Sequence, residues 1–250
     1  MKAAAKSKPK RKRKRKKRKY RGNKHTKGGH SIKKESAYLF GTEERTFIMK
    51  FSMSTGRAKL KGCPRALRLK SRMNSCRIEK GLLFISGGVV CDKQEVSNDA
   101  FIYTPKKYTV KKLPDMLFPR CSHRSVMRYP WIYVTGGKTT SKDADGTADC
   151  ERYNIVKKKW QSIADMNESR HGHMIQEFGQ VYVFGGRGSK GRLDSIECYN
   201  DVEDKWNTLN VKIPCPLEGG AIEIVKDRYI LIFGGRANDK TRSAIYMADL

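Results

Sequence analysis

Histidine and cysteine are the residues of this sequence best suited to hold a metal ion. Cys121, His123, His171 and His173 form two close pairs, and together they would offer enough ligands for a transition-metal site. His123 and His173, however, each end an Arg-x-x-His motif, and the second motif repeats the first fifty residues later. A motif repeated at a fixed interval is typical of a repeated structural element, so we expect structural hydrogen bonds here and no metal site.

The cysteines indicate the redox compartment. Their number is odd, their spacing is scattered, and no two of them form the Cys-x-x-Cys pair of zinc-binding or thioredoxin-like proteins. This pattern predicts free thiols, buried or half-buried, in a reducing compartment. The residues concerned are Cys63, Cys76, Cys91, Cys121, Cys150, Cys198 and Cys215.

One glycine-rich segment, residues 185–191 (GGRGSKG), has the composition of a phosphate-binding loop. It lacks the Gly-x-x-x-x-Gly-Lys-Ser/Thr spacing, and we expect a strand after it instead of the helix that such loops precede. No serine, histidine and aspartate set and no pair of carboxylates stands out from the rest of the sequence. We therefore expect a protein that is not an enzyme and that binds no cofactor.

The first 34 residues form a polybasic arm. They hold 18 Lys or Arg and no Asp or Glu, so they carry a charge of +18, whereas the whole chain has a net charge of +29. Such a segment repels itself and has almost nothing apolar to bury, which predicts disorder. Its centre is an unbroken basic run of Lys10, Arg11, Lys12, Arg13, Lys14, Arg15, Lys16, Lys17, Arg18 and Lys19.

Two functions fit this arm, and the sequence leaves both open. A basic run of this kind is typical of a nuclear localisation signal read by an import receptor. It also suits contacts with RNA phosphates that are insensitive to base sequence. The further alternatives are attraction to an anionic membrane surface, for which no apolar residue or acyl site offers an anchor, and a merely solvated tail.

The sequence predicts neither secretion nor membrane insertion. No apolar segment follows the basic N-terminus, as it would in a secretory signal, and position 2 is Lys2 where myristoylation needs Gly. No stretch approaches the eighteen apolar residues of a membrane span. With the expected free thiols, these features favour a nuclear or cytoplasmic protein.

Four apolar runs of this chain end in a glycine pair. They are LLFISGG (82–88), WIYVTGG (131–137), QVYVFGG (180–186) and YILIFGG (229–235). Glycine adopts positive φ without a Cβ penalty, which suits a sharp turn at the end of a strand. The pairs repeat every 49 residues: Gly87 and Gly88, Gly136 and Gly137, Gly185 and Gly186, Gly234 and Gly235. One interval repeated three times predicts four copies of one structural unit.

Aromatic residues repeat together with the glycine pairs. In the second and third copies, Trp160 and Trp206 lie seven residues after a tyrosine, whereas the first copy has Val110 at that position. Side chains of this size bury roughly 150–250 Å² each and suit the wedge between adjacent twisted sheets. Each copy is interpreted as four short strands, the third of which ends in Tyr103, Tyr153, Tyr199 or Tyr246.

The glycine pairs, the spaced Tyr and Trp and the period near fifty resemble the kelch repeat. The resemblance implies an all-β fold, a kelch-type β-propeller in which each repeat forms one four-stranded blade. We expect about five blade-like units with incomplete terminal ones, after the disordered arm at 1–34. Within residues 35–250, these are a degenerate unit at 37–62 and units at about 73–117, 118–167, 168–213 and 214–250.

The resemblance further implies a non-enzymatic scaffold that binds another protein. In repeat folds, the most variable loops cluster on one face and often carry recognition. The corresponding loops here follow the glycine pairs. Their candidate partner-binding residues are Lys138, Lys142, Arg187, Lys190, Arg192 and Arg236.

Other roles stay open at this point. A ribosome- or pre-ribosome-associated RNA-binding protein is one alternative, for which the arm is the main evidence. A substrate adaptor of a ubiquitin ligase is another, although adaptors of the kelch family usually carry an additional oligomerisation domain. Some kelch propellers are copper oxidases, but nothing in this sequence marks the His and Tyr ligands that such a site would need.

Overall fold

The computed structural model shows an all-β chain. The expected polybasic arm, including Lys10–Lys19, lies outside the described residues, and so does Cys91. The structure describes residues 36–40, 47–52, 55, 57–64, 67–90, 92–142, 145–225, 229–238, 240–241 and 245–249.

The first sheet is a three-stranded antiparallel meander. Its strands are β1 (Ser36–Phe40), β2 (Phe47–Ser52) and β3 (Arg57–Gly62), paired in that order. Ile48 of β2 is buried in one cluster with Leu69 and Tyr103, so this sheet packs against the blade that follows it.

Three complete four-stranded blades come next, and we name them A, B and C. Blade A contains β4 (Asn74–Arg77), β5 (Leu83–Ser86), β6 (Val89–Val90), β7 (Glu95–Val96), β8 (Ala100–Thr104) and β9 (Thr109–Lys112). Blade B contains β10 (Arg124–Arg128), β11 (Trp131–Thr135), β12 (Cys150–Asn154) and β13 (Lys159–Ile163). Blade C contains β14 (Met174–Phe178), β15 (Gln180–Phe184), β16 (Arg187–Gly188), β17 (Gly191–Arg192), β18 (Ser195–Asn200) and β19 (Lys205–Lys212).

Blade D has three strands in its sheet. It contains β20 (Ala221–Val225), β21 (Tyr229–Phe233), β22 (Arg236–Ala237), β23 (Lys240–Thr241) and β24 (Ile245–Asp249). The blade sheets pair in the orders β4-β5-β8-β9, β10-β11-β12-β13, β14-β15-β18-β19 and β20-β21-β24. In blades A, C and D, a short hairpin follows the glycine pair: β6-β7, β16-β17 and β22-β23.

The hydrophobic core is divided among the interfaces between successive blades. Between A and B, Phe84 and Met116 pack with Tyr153. Between B and C, Tyr133 packs with Trp206. Twisted sheets leave a wedge between them, and these large side chains fill it.

The connecting segments that lead into the blades run side by side. These segments are residues 70–73, 120–123, 170–173 and 217–220, each directly before the first strand of its blade. The Ser122 N–H donates to the Arg72 carbonyl at 2.8 Å. In the same way, the Gly172 N–H donates to the Ser122 carbonyl at 2.9 Å, and the Gly219 N–H donates to the Gly172 carbonyl at 2.7 Å. The first strands also contact one another in succession, β4 with β10, β10 with β14 and β14 with β20. The blades are therefore arrayed about one shared axis.

The expected all-β propeller is confirmed, and the number of blades differs slightly from the expected five. Blades A to D share the series of connecting segments, whereas the sheet β1–β3 packs against blade A through Ile48. That sheet has no strand in the position of β4, β10, β14 and β20 within the described residues. Among the described strands, the series of first strands that contact one another therefore consists of β4, β10, β14 and β20.

The part of the chain that the structure describes contains one helical element, the short 3-10 turn Glu79–Gly81. Within these residues no helix has the length and the apolar character needed to cross a membrane.

Candidate protein-docking face

The glycine pairs and the connecting segments meet at one end of the blades, which we call the loop face. The four residues that directly follow a glycine pair each form a backbone bridge with a connecting segment: Val89 with Ser71, Lys138 with Cys121, Arg187 with His171 and Arg236 with Glu218. The second glycine of a pair also bonds the connecting segment of the next blade, as the Gly137 N–H does with the Arg170 carbonyl (2.9 Å). Each glycine pair therefore lies between two connecting segments.

The crowding at these pairs explains why glycine is needed. Gly136 has a φ of 55° and Gly137 a φ of 101°, values that L side chains rarely adopt. A Cβ on Gly136 would lie 2.4 Å from the Arg170 carbonyl oxygen, and one on Gly137 would lie 2.7 Å from that of Cys121. All eight glycines of the four pairs have positive φ. The glycines therefore provide the turn and the close approach of adjacent blades.

Buried ion pairs hold two of the connecting segments. Arg120 and Glu151 are both fully buried, and Arg120 Nη2 lies 3.0 Å from Glu151 Oε1. Arg120 Nη1 also donates to the Gly136 carbonyl at 2.7 Å. Blade C repeats the arrangement with the fully buried pair of Arg170 and Glu197. Each arginine ties its connecting segment to the glycine pair and to the third strand of the blade that it leads into.

Sequence reasoning missed the two glutamates. Glu151 and Glu197 lie two residues before Tyr153 and Tyr199, in strands whose repeated tyrosines are buried. An acidic residue at an inward position of a buried strand needs a cation, and the repeated Arg-x-x-His motif supplies one. That combination is the signal that could have identified them.

Blade A has a different ion pair at its connecting segment, because the position of Glu151 is occupied by Phe101 and the acid is Asp99, just before the third strand. Lys70, equivalent to Arg120 and Arg170, is buried and forms an ion pair with Asp99. Burial opposes ionisation of Asp99, but the hydrogen bond and the charge of Lys70 outweigh it and lower the pKa of Asp99 to about 2. In blade D, Leu217 occupies the equivalent position, and its carbonyl accepts from the Gly186 N–H (2.8 Å).

Two buried histidines link the blades through side-chain bonds. His123 Nε2 lies 2.8 Å from Ser86 Oγ, and His173 Nε2 lies 2.8 Å from Thr135 Oγ1. Burial, with the neighbouring arginine charges, lowers the pKa of both imidazoles well below the usual value. Both are therefore neutral near pH 7. Among the described residues, no group of three or more His, Cys, Asp or Glu is arranged to hold a metal ion.

The repeat aligns basic residues on the loop face. Lys138, Arg187 and Arg236 share one position in blades B, C and D, whereas blade A has Val89 there. Lys138 and Arg187 are half-buried and Arg236 is exposed. We call these three residues the basic arc. Because their connecting segments are hydrogen-bonded in succession, the arc follows the inner edge of the loop face.

The structure separates the other candidate residues from the arc. Arg192 forms an ion pair with Glu218 at 3.0 Å, which neutralises part of its charge. Lys142 and Lys190 are exposed and lie farther along the loops. Arg72 is also exposed; it lies in a connecting segment and donates weakly to the Ser141 carbonyl (3.4 Å).

Comparison with known proteins identifies the repeated unit. The KLHDC2/KLHL20/DRC7 Kelch-repeats domain family matches residues 75–250. This chain belongs to the kelch-repeat family. Kelch units B and C carry the glycine pair, the tyrosine and the tryptophan, whereas unit A has Val110 in the place of the tryptophan.

Similar kelch proteins are considerably longer. Alpha-scruin of Limulus polyphemus is 30% identical over 152 residues, which cover 58% of this chain and 16% of alpha-scruin. Kelch-like protein 36 of Rattus norvegicus is 30% identical over 171 residues, covering 67% of this chain and 27% of that protein. The chain thus spans about a sixth to a quarter of the length of these curated relatives.

A solved structure shows the same fold. It is titled "Structure of YjhT" and superposes with a TM-score of 0.64 over 81% of this chain and 72% of that chain. The sequences are 18% identical, so the likeness supports the arrangement of the kelch blades.

Proposed function

We propose that this kelch chain is a non-enzymatic interaction scaffold that binds an acidic segment of a protein partner on its loop face. The observation that carries the proposal is the basic arc, because the repeat places Lys138, Arg187 and Arg236 at one position in three consecutive blades. Positive charges arranged along a curve favour an extended segment with several carboxylates over a single small anion.

The scaffold beneath the arc is rigid. The Arg120–Glu151 and Arg170–Glu197 pairs fix the connecting segments on which the arc depends. A surface that is ordered before binding loses little conformational entropy when a partner docks. This favours a binding role for the loop face.

The buried nucleophiles support a role without chemistry. Burial raises the pKa of the Cys76 and Cys150 thiols to about 12, so neither is a thiolate near neutral pH. His123 and His173 are fully buried and use Nε2 to bond neighbouring blades. Residues of the types used in catalysis thus serve packing in this part of the chain.

Charge reversal with a matched control tests the proposal. We would compare the full chain with Lys138→Glu/Arg187→Glu/Arg236→Glu and with Lys106→Glu/Lys107→Glu/Lys157→Glu. The control makes the same charge change in the turns at the opposite ends of the blades. Bound proteins would be identified by affinity capture and mass spectrometry after nuclease treatment at physiological salt.

We expect the arc variant to lose the acidic partner and the control to keep it. Equal capture by all three proteins would contradict the proposal. Loss from both variants would also contradict it, because general electrostatic attraction would then explain the binding.

The basic run at 10–19 favours a second function, nuclear targeting or contact with RNA phosphates. We propose that the arm supplies this function independently of the loop face. A ribosome- or pre-ribosome-associated role is the form of it that involves RNA.

A further inference from the structure

The first sheet carries all its basic residues on one face. Successive residues of a strand point to opposite faces of a sheet, and the register pairs Ile48 with Lys61 and Lys50 with Lys59. Ile48 is buried against blade A, so the basic residues share the face that is directed toward that blade. They are Lys50, Arg57, Lys59 and Lys61, and the described strands of this sheet contain no Asp or Glu.

Two of these lysines lie directly opposite each other on adjacent strands. They are Lys50 and Lys59, and both are exposed. Like charges in this arrangement repel each other and destabilise a sheet. Within the residues that the structure describes, no carboxylate forms an ion pair with either lysine. An anionic ligand on this face would relieve the repulsion.

A cleft opens between this face and blade A. Its volume is about 300 Å³. The buried Ile48 and Tyr103 form its floor, and the exposed Lys50, Lys61 and Lys106 surround them. None of the described residues that line it is acidic. We call it the basic cleft, and its lining consists of Ile48, Lys50, Lys61, Tyr103, Pro105 and Lys106.

Aromatic rings hold Lys61 in place beside the cleft. Its Nζ lies 4.9 Å from the centroid of the Tyr108 ring, a distance typical of a cation–π contact. Tyr108 in turn packs edge-to-face against Tyr103, with ring centroids 6.1 Å apart. The ammonium group is therefore positioned before any ligand arrives, which lowers the entropic cost of binding.

The lining of the basic cleft favours a ligand that has an apolar part and several negative charges. Clustered charges of one sign attract counter-ions, and lysine is a common partner of phosphate. A free inorganic anion would leave the apolar floor uncovered, whereas a nucleotide offers a flat base together with its phosphates. Proteins that bind single strands without sequence preference combine a positive groove with aromatic side chains in this way.

The place of the cleft in the chain favours an RNA strand over a free nucleotide. Strand β1 begins at Ser36, directly after the polybasic arm at 1–34. One RNA strand can therefore contact the arm and the cleft together. The 18 basic residues of the arm supply most of the affinity, and they raise the concentration of the strand near three lysines that alone bind too weakly.

We propose that the basic cleft binds one nucleotide of a single-stranded RNA, with the base against the floor and the adjacent phosphates on Lys50, Lys61 and Lys106. The proposal rests on the RNA-binding form of the arm's proposed function and extends that function to the folded part of the chain. The arm captures the strand through its phosphates, and the cleft fixes the position of the strand on the propeller.

Photochemical cross-linking locates the contact in the full chain. The probe is a single-stranded oligouridylate that contains 4-thiouridine. Cleavage after acidic residues then separates the arm from the cleft, because it produces the fragments 1–35, 45–79 and 100–115. We expect cross-links in all three fragments, since 45–79 contains Lys61 and 100–115 contains Tyr103.

Two matched double variants test the lysines. Lys50→Gln/Lys61→Gln removes two charges from the cleft, whereas Lys157→Gln/Lys159→Gln removes two exposed charges from blade B. The cleft variant should lose most cross-links in 45–79 and 100–115 and keep those in 1–35. The slope of its log affinity against log salt should fall by about 1.4, because each phosphate contact with a single strand contributes about 0.7. The blade B variant should change neither quantity.

Three results would overturn the proposal: cross-links confined to 1–35, unchanged cross-links in the cleft variant, or an equal loss in both variants. Confinement to 1–35 would leave the arm's function standing, whereas absence from all three fragments would contradict that function as well. Binding of phosphatidylserine vesicles that Lys50→Gln/Lys61→Gln abolishes, with RNA cross-links unchanged, would assign the cleft to a membrane surface instead. Because the location is measured first in the unmodified chain, a variant that failed to fold would not remove the test.

Discussion

At the scale of the residue, the loop face depends on buried polar side chains that bond the connecting segments. The Arg-x-x-His motif looks like a source of ligands, yet Arg120 is neutralised by Glu151 and His123 bonds Ser86. A buried charge is tolerated only with a partner, so the arginine requires the glutamate. The arginine of the motif therefore holds the connecting segment to its own blade, and the histidine bonds the preceding blade.

The first prediction concerns the close approach at the glycine pairs. Gly136→Ala should destabilise the chain by about 1–3 kcal/mol more than Gly179→Ala, because overpacking costs this much in a tight interior. Gly136 has a φ of 55° and Gly179 a φ of 67°, so an alanine is strained to a similar extent at both positions. This strain therefore largely cancels when the two variants are compared. A Cβ at 136 meets the Arg170 carbonyl, whereas one at 179 has nothing within 4 Å. Urea unfolding measures the difference, and equal losses would contradict the role of close approach.

The second prediction concerns the buried ion pair. Arg120→Met should reduce the free energy of unfolding by about 3–5 kcal/mol, because it leaves the buried Glu151 without its cation. Adding Glu151→Leu should recover a large part of that loss. The surface pair of the exposed Lys212 and the half-buried Asp194 serves as control, and Lys212→Ala should reduce the free energy of unfolding by about 0–1 kcal/mol. A double variant no more stable than Arg120→Met alone would show that the two residues are not coupled.

At the scale of the element, the connecting segments add hydrogen bonds to the apolar packing of the blade interfaces. They have little regular structure, and they are held by backbone bonds to glycine pairs and by the bonds of His123 and His173. Because both imidazoles are buried as neutral groups, the stability of the folded chain should depend on pH.

The third prediction follows from that pH dependence. The pKa of each histidine is lowered in the folded chain, so its contribution to stability is present above the unfolded pKa of about 6.5 and is lost as the pH falls. Between pH 7.5 and 5.5, protonation of each histidine in the unfolded chain should lower the free energy of unfolding by about 1.4 kcal/mol. This range extends one pH unit below the unfolded pKa, and one pKa unit corresponds to about that energy. His123→Gln/His173→Gln should therefore lose about 3 kcal/mol less than the unmodified chain over this range.

Urea unfolding at the two pH values measures this effect. His171→Gln changes a half-buried histidine of the same connecting segment and should keep the larger loss, because His123 and His173 remain. If the double glutamine variant showed the full loss, other groups would be responsible for the pH dependence.

At the scale of the whole molecule, charge is divided between two regions with separate tasks. The first 34 residues carry 18 of the net charge of +29, and the remaining 216 residues carry 11. We expect the arm to act as an appended segment on a propeller that folds without it, because its composition gives it almost nothing apolar to bury.

The fourth prediction tests that division. Deleting residues 1–34 should leave the free energy of unfolding within about 0.5 kcal/mol of that of the unmodified chain. Changes at the surface, away from packed features, rarely alter stability by more than this. The same deletion should remove salt-dependent binding to a single-stranded RNA probe and nuclear accumulation of a fluorescent fusion. A shortened chain that kept both properties would leave the arm without either proposed function, and a large loss of stability would show that the arm packs on the propeller.

The sequence by itself determined the repeat and hence the fold. A glycine pair every 49 residues and the spaced tyrosines were enough to predict an all-β propeller, because local backbone needs and large side chains leave a periodic mark. The pairing of Arg120 with Glu151 and of Arg170 with Glu197, and the bonds of His123 and His173 to neighbouring blades, were decided only by the tertiary structure. Each of these contacts joins residues that are far apart in the chain and that meet only when the blades stack about one axis. A periodic sequence specifies the unit, but the geometry of stacking decides which residues of neighbouring units meet.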